Sequence, residues 1–196
     1  YLVDGKPMEM TRHTVSVPMP DGAEPVERTL YSTIYGPLVA MPQVGLAWTD
    51  TMAFSMRDAN SANQRALGTW VRIAQATNVD DVRKAVTETL GIPWVNTIVA
   101  DRYGNALHAD VTSVPNVSAE KVAECATPFS GLVASRLTLL DGARSECNWT
   151  VTKGTPVPGL LPASEQAIQQ RRDSVANSND SYWLSNASAP NKQLSP

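Results

Sequence analysis

The block from Asn78 to Val111 leaves this chain few choices of fold. Asn78 stands just before Val79, Val82, Val86 and Leu90, apolar residues at the three- and four-residue spacing of one helix face. An Asn side chain there can accept a hydrogen bond from the free N–H groups of the first turn. Gly91 and then Pro93 stop the helix, as a glycine at the end and a proline beyond it do. Trp94 to Ala100 follows as a strand rich in β-branched residues, Asp101 to Asn105 makes a turn, and Ala106 to Val111 returns. A capped helix that runs into an antiparallel hairpin points to an α+β fold with mainly antiparallel pairing.

The flanking segments extend that pattern. Asp4-Gly5 is a tight-turn pair between Tyr1-Leu2-Val3 and Lys6 to Met10, which predicts a hairpin. Thr14 to Val17 alternates, and a second Asp-Gly pair sits at Asp21-Gly22. Thr29 to Val39 predicts one strand that bends or ends at Gly36-Pro37, and Val44 to Thr49 a further short strand. Leu67, Trp70, Val71 and Ala74 have helical spacing, with Asp58 or Ser61 available as a cap and Trp70 on the core face. From Pro115 onward, closely spaced Pro and Gly predict a long irregular excursion. Ala163 to Gln170 reads as one or two helical turns, and Ser185 to Pro196 as a polar tail.

Composition excludes several function classes. The 196 residues carry a net charge of -3 and no Lys/Arg cluster that could neutralise phosphates, so no nucleic-acid partner is expected. No apolar run approaches the ~20 residues of a membrane span. With no signal peptide and no initiator Met before Tyr1, the chain reads as the inside of a longer one. Cys125 and Cys147 either close one loop or stand as two buried thiols. With His13 and His108 far from them in sequence, no metal site is expected and no cofactor is implied. There is no glycine-rich phosphate loop and no Gly-x-Ser-x-Gly elbow. His108 is therefore expected to be structural, Asp101 a turn former and Asp110 a solvated strand end.

One stretch stands apart: Val175-Ala176-Asn177-Ser178-Asn179-Asp180-Ser181-Tyr182-Trp183. Its Asn, Ser and Asp side chains compete for backbone hydrogen bonds, so it is a poor helix and a natural polar loop. Such a loop is either a surface Asx-turn or a site that offers neutral amide donors to a developing oxyanion. Trp183, at its exit, is a candidate wall of an apolar substrate pocket and equally a rim or core residue.

Five stretches in order resemble the penicillin acylase family of N-terminal-nucleophile hydrolases. They are Tyr1-Leu2-Val3-Asp4-Gly5-Lys6, Thr33 to Val39 (with Tyr35 where the family usually has His), Leu46-Ala47-Trp48-Thr49, Asn96 to Asn105, and Val175 to Asp180. The wording from Val175 to Leu184, preceded by Leu140 to Cys147, is most similar to the aculeacin and acyl-homoserine-lactone acylases.

The resemblance implies a part of the family's four-layer αββα sandwich. Residues 1–196 would be an internal piece of the catalytic β chain, cut at both ends and completed by an α chain from the same precursor. It implies hydrolysis of a linear amide, with an acyl chain removed from a homoserine lactone, lipopeptide or β-lactam, by a secreted or periplasmic enzyme. The family's nucleophile is an N-terminal serine whose own amino group serves as base. No residue here matches it, since position 1 is Tyr. Asn179 would be the oxyanion-hole donor and Asn177 its support in the same loop. Some family members bind structural calcium, but no ligand set in this chain can be assigned to it. The rival expectation is a non-catalytic binding or structural module on the same scaffold, motivated by the missing nucleophile and the proline-rich half.

Overall fold

A computed structural model describes residues 1–190. In chain order the elements are β1 (Leu2–Val3), β2 (Lys6–Pro7), β3 (Thr11–Val17), β4 (Val26–Thr33), β5 (Gly36–Val39) and β6 (Phe54–Ser55). Then come α1 (Arg65–Ala74), α2 (Val79–Thr89), β7 (Thr97–Ala100), β8 (Ala106–Asp110), α3 (Ala119–Glu124), α4 (Ser130–Val133) and β9 (Ala167–Arg171). Every strand pair is antiparallel. The chain divides into two compact units, one of Tyr1–Asp58 with Val117–Asn148, the other of Ala59–Asn116 with the chain from Trp149 onward. The last six residues of the predicted polar tail lie outside the described residues.

The first unit carries the β1–β2 hairpin and a four-stranded sheet in the order β3-β4-β5-β6. Asp4 and Gly5 both take positive φ, 50° and 74°, as the hairpin turn between two-residue loop neighbours requires. The segment read as one strand that bends or ends at Gly36-Pro37 is two strands, the first ending at Thr33 and the second starting at Gly36. Ser32 pairs with Pro37 and Thr33 with Gly36, so the chain reverses at Ile34-Tyr35. Gly36 is needed there, because a Cβ would lie 2.2 Å from the Met56 carbonyl oxygen. Val44 to Thr49 is not a strand either. Gly45, at φ 82°, closes a short 3-10 turn, and only Leu46 makes a bridge, to Met41. Leu46 is buried beside Phe54 and Val133, while Trp48 packs edge-on against Tyr31 at 5.3 Å between ring centroids. The irregular excursion also contains the two short helices α3 and α4, the first capped by Ser118, whose Oγ accepts from Lys121 N–H. Cys125 and Cys147 form a disulfide across 22 residues of chain. A loop of that length stabilises by about 3 kcal/mol in the chain-entropy account.

The second unit is built as expected around α2. Asn78 Oδ1 accepts from Asp81 N–H at 2.9 Å. Val79, Val82, Val86 and Leu90 are buried against Leu107, Ala109, Val111 and Leu160. The helix ends differently from its forecast. Leu90 takes the left-handed conformation (φ 45°), and Gly91 is required for close approach, since a Cβ there would meet Thr69 Oγ1 at 2.1 Å.

Helix α1 forms but presents a different face from the one expected. Its one buried side chain is Thr69, which hydrogen-bonds Thr89 Oγ1 at 2.7 Å. Arg65 donates to the carbonyls of Thr89 (2.9 Å) and Leu90 (3.1 Å), satisfying the free end of α2. This polar contact fixes the rotation of α1. Leu67 is consequently 75% exposed, and Trp70 and Val71 half exposed. Neither Asp58 nor Ser61 is the cap; Gln64 holds that position without a side-chain bond. The strand before the hairpin is shorter than expected, and Trp94 lies outside it, exposed.

Ala163 to Gln170 is not helical beyond a 3-10 turn at Ala163–Glu165. It continues into β9, the third strand of the sheet β7-β8-β9. Ala, Gln and Arg favour helix locally, but pairing along Ala106–Asp110 outweighs that preference. On β8, Leu107 and Ala109 face the core; His108 and Asp110 face the other side of the sheet, with Gln169 directly across from His108. Burial pushes the His108 imidazole below its ordinary pKa, against the opposing pull of Asp110.

Asp101 shapes the hairpin turn as expected and also reaches further. Its Oδ1 accepts from the N–H groups of Tyr103 and Asn105, and its Oδ2 from the N–H of Val79 at the start of α2. These bonds, that from the Asn105 side chain foremost, bring the carboxyl from 3.8 down to about 2. A depressed carboxyl contributes stability that is present above pH 3.8 and lost as pH falls toward about 2. In denaturant titrations across that window, wild type is expected to lose unfolding free energy more steeply than Asp101→Asn. Parallel pH curves for the two would contradict this assignment.

Candidate functional site

The site grows from the end of β9. After Arg171 the chain leaves the sheet, and Asp173 turns back to accept from Arg171 Nε (2.8 Å) and Nη2 (2.7 Å). That pairing holds the Asp173 carboxyl far below the usual carboxylate range. A loop then runs from Ser174 to a 3-10 turn at Tyr182–Ser185. Its mouth is closed by Ala176 N–H donating to the Ser185 carbonyl at 2.6 Å.

Inside the loop, the predicted Asx-turn is present. Asn177 Oδ1 accepts from Asn179 N–H at 3.0 Å. Asn179 sits at φ 55°, a left-handed conformation that Asn tolerates better than most residues. Asp180 Oδ1 accepts from Ser181 N–H at 2.7 Å, and Ser181 Oγ from Trp183 N–H at 3.2 Å. The local side chains thus occupy the loop's own backbone donors. The Asn179 side-chain amide is different: it is exposed and makes no hydrogen bond among the described residues. The Asx-turn thus leaves the Asn179 side-chain amide facing solvent. Asn177 makes the turn, and the turn presents Asn179. Trp183 lies four residues beyond Asn179, half-buried.

Sequence reasoning missed the base beneath this loop. Buried Ser185 donates to Gln169 Oε1 at 2.6 Å. Buried Asn186 donates through Nδ2 to the Ser174 carbonyl and to Asp173 Oδ1, and its Oδ1 accepts from the N–H groups of Ser188 and Ala189. Gln169 Nε2 completes the set by donating to the Ala189 carbonyl. Ser185 and Asn186 read as the start of a polar tail, and nothing in their sequence marks them as buried. Among the described residues no cluster of three or more His, Cys, Asp or Glu could hold a metal ion. No described helix is long and apolar enough to cross a membrane.

The fold matches a solved thermostable penicillin G acylase from Alcaligenes faecalis with a TM-score of 0.51, over 61% of this chain and 20% of that one, at 19% identity. That likeness places the mixed, antiparallel α/β architecture in the penicillin acylase class of N-terminal-nucleophile hydrolase folds. A family model described as penicillin amidase matches residues 1–195, and the chain belongs to that family. It is 43% identical to an acyl-homoserine lactone acylase, PvdQ, of Pseudomonas syringae pv. tomato, over 100% of this chain and 25% of that protein. It is 39% identical to an aculeacin-A acylase of Actinoplanes utahensis, over 97% of this chain and 24% of that protein. The chain thus spans about a quarter of the length of the relatives it matches.

Proposed function

We propose that the whole protein is an amide hydrolase that removes an acyl chain from an acylated amine, a homoserine lactone or lipopeptide before a β-lactam. The observation that carries this is the exposed Asn179 amide, which makes no hydrogen bond among the described residues and is set in left-handed backbone beside the Asn177 turn. Residues 1–196 contribute part of the catalytic β chain. The nucleophile, an N-terminal serine, lies outside these residues, as does the α chain of the same precursor. In this mechanism the serine's α-amino group takes the hydroxyl proton as oxygen attacks the amide carbon. Asn179 Nδ2–H donates to the oxyanion that forms on the former carbonyl oxygen. Collapse breaks the C–N bond, the amine leaves with a proton, and water then releases the acid from the ester. Half-buried Trp183 supplies an apolar wall for the acyl chain. The Cys125–Cys147 disulfide supports a secreted or periplasmic protein, where such bonds persist.

The direct test is to incubate the whole protein with long-chain N-acyl homoserine lactones and with an acylated lipopeptide, and to quantify the freed amine. Release of amine and fatty acid in equal amounts is expected. Lactone-ring opening without amine release would sink the proposal.

A further inference from the structure

The exposed loop that carries Asn179 has to hold one amide where an oxyanion will form, and a displacement of about 1 Å can cost 10²-fold in rate. Asn177, Ser178, Asn179 and Asp180 are all exposed, so packing does not fix them. The hydrogen bonds that tie the loop to the sheet run through its base. Ser185 both receives Ala176 N–H at its carbonyl and donates its hydroxyl to Gln169 on β9. Asn186 joins the opposite limb by donating to the Ser174 carbonyl, while Asp173, locked by Arg171, accepts from the same amide. Two limbs of one loop, nine or more residues apart, are thereby bound to each other and to a strand. Ser185 is 2% exposed and Asn186 5%, so neither hydroxyl nor amide can exchange its partner for water without opening the base.

From this juxtaposition we propose that Gln169, Ser185 and Asn186 are positioning residues for Asn179, a polar clasp that sets where its amide points. The proposal rests on the oxyanion role given to Asn179 above. None of the three reaches the reacting atoms; they act through the loop. The clasp is neutral throughout, so it orients a donor without adding charge to the oxyanion's surroundings. Gln169 is central because both ends of its amide are used, Oε1 by Ser185 and Nε2 by the Ala189 carbonyl.

The experiment compares kcat and KM for wild-type whole protein, Ser185→Ala, Ser185→Thr, Gln169→Glu, Asn179→Ala and the double variant Ser185→Ala/Asn179→Ala, with an N-acyl homoserine lactone as substrate. Ser185→Ala should lower kcat roughly ten- to hundredfold with KM nearly unchanged. Ser185→Thr, which keeps the hydroxyl, should recover most of that loss. The double variant should turn over no more slowly than Asn179→Ala alone, because a clasp has nothing left to position once the amide is gone. Wild-type kcat in Ser185→Ala, or losses that multiply in the double variant, would overturn the proposal. If Ser185→Ala does not fold, Gln169→Glu carries the test. It keeps an oxygen for Ser185, replaces the donor to Ala189 by an acceptor and adds a charge, so a kcat lowered at unchanged KM and not restored by salt that screens the charge supports the clasp, and a wild-type kcat overturns it. Normal turnover in Asn179→Ala brings down the oxyanion role itself. A crippled Asn179→Ala beside a normal Ser185→Ala brings down only the clasp.

Discussion

Asn179→Ala in the whole protein is expected to lower kcat by roughly 10²–10³-fold, the usual loss when one oxyanion donor is removed, with little change in KM. The donor's contribution grows as charge develops on the carbonyl oxygen, so it acts on the transition state more than on the bound substrate. Alanine also introduces a separate cost, since Asn179 sits at φ 55° and a left-handed alanine is strained by roughly 1–2 kcal/mol. Asn179→Gly separates the two effects. Glycine accepts that backbone freely and still lacks the amide, so its kcat should fall as far as alanine's. Asn179→Asp keeps the turn and the size but presents only acceptors to a negative oxygen, and should be no faster than Gly. Near-normal turnover by a folded Gly variant would show that the amide is not the donor.

Leu107→Ala is expected to destabilise the protein by about 2–5 kcal/mol, the range for a Leu-to-Ala change in a closed core. Leu107 is fully buried on β8, between the Val79, Val82, Val86 and Leu90 face of α2 and the Val99 side of β7. Its neighbours are held on two strands and a capped helix, so they are poorly placed to collapse into the space. Ile98, one residue from Val99, points to the other face of the same sheet and is 48% exposed. Ile98→Ala removes as many carbon atoms and should cost far less. Denaturant unfolding of the pair checks both, and similar losses would mean that the sheet's two faces have been misassigned.

What could be read from the sequence was what depends on neighbours along the chain. Asn78, the Val79–Leu90 face and the Asp101–Asn105 turn are local devices, and α2, β7 and β8 follow from them. The Asp4-Gly5 hairpin was legible for the same reason. What was not legible depends on distant partners. Ala163 to Gln170 has a helical composition, and only its pairing with Ala106–Asp110 makes part of it a strand. The rotation of α1 follows from Arg65 reaching the end of α2, a contact 24 residues away in sequence, so the apolar spacing of Leu67, Trp70 and Val71 named the helix but not its inner face. The reversal at Ile34-Tyr35 carries no turn dipeptide at all. At the site, the Asn177–Asn179 turn was readable from residue type, whereas the function of Asn179 came from family resemblance. The clasp beneath it was out of reach, because Gln169, Ser185 and Asn186 look like ordinary surface polar residues until β9 brings them together.

The reach of Asp101 from the hairpin turn to the first N–H of α2 bears on how the second unit breathes. A single carboxylate holds groups belonging to two elements, so fraying of either costs it a donor: releasing Val79 leaves Oδ2 with the Asn105 side chain alone, and opening the Tyr103–Asn105 turn strips the backbone donors from Oδ1. The helix start and the hairpin tip therefore open as one cooperative unit. Amide hydrogens of Val79, Tyr103 and Asn105 are therefore expected to exchange together, and widely different exchange rates for Val79 and Tyr103 would contradict the coupling. A ligand, a substitution or a change in acidity that disturbs one end is felt at once at the other.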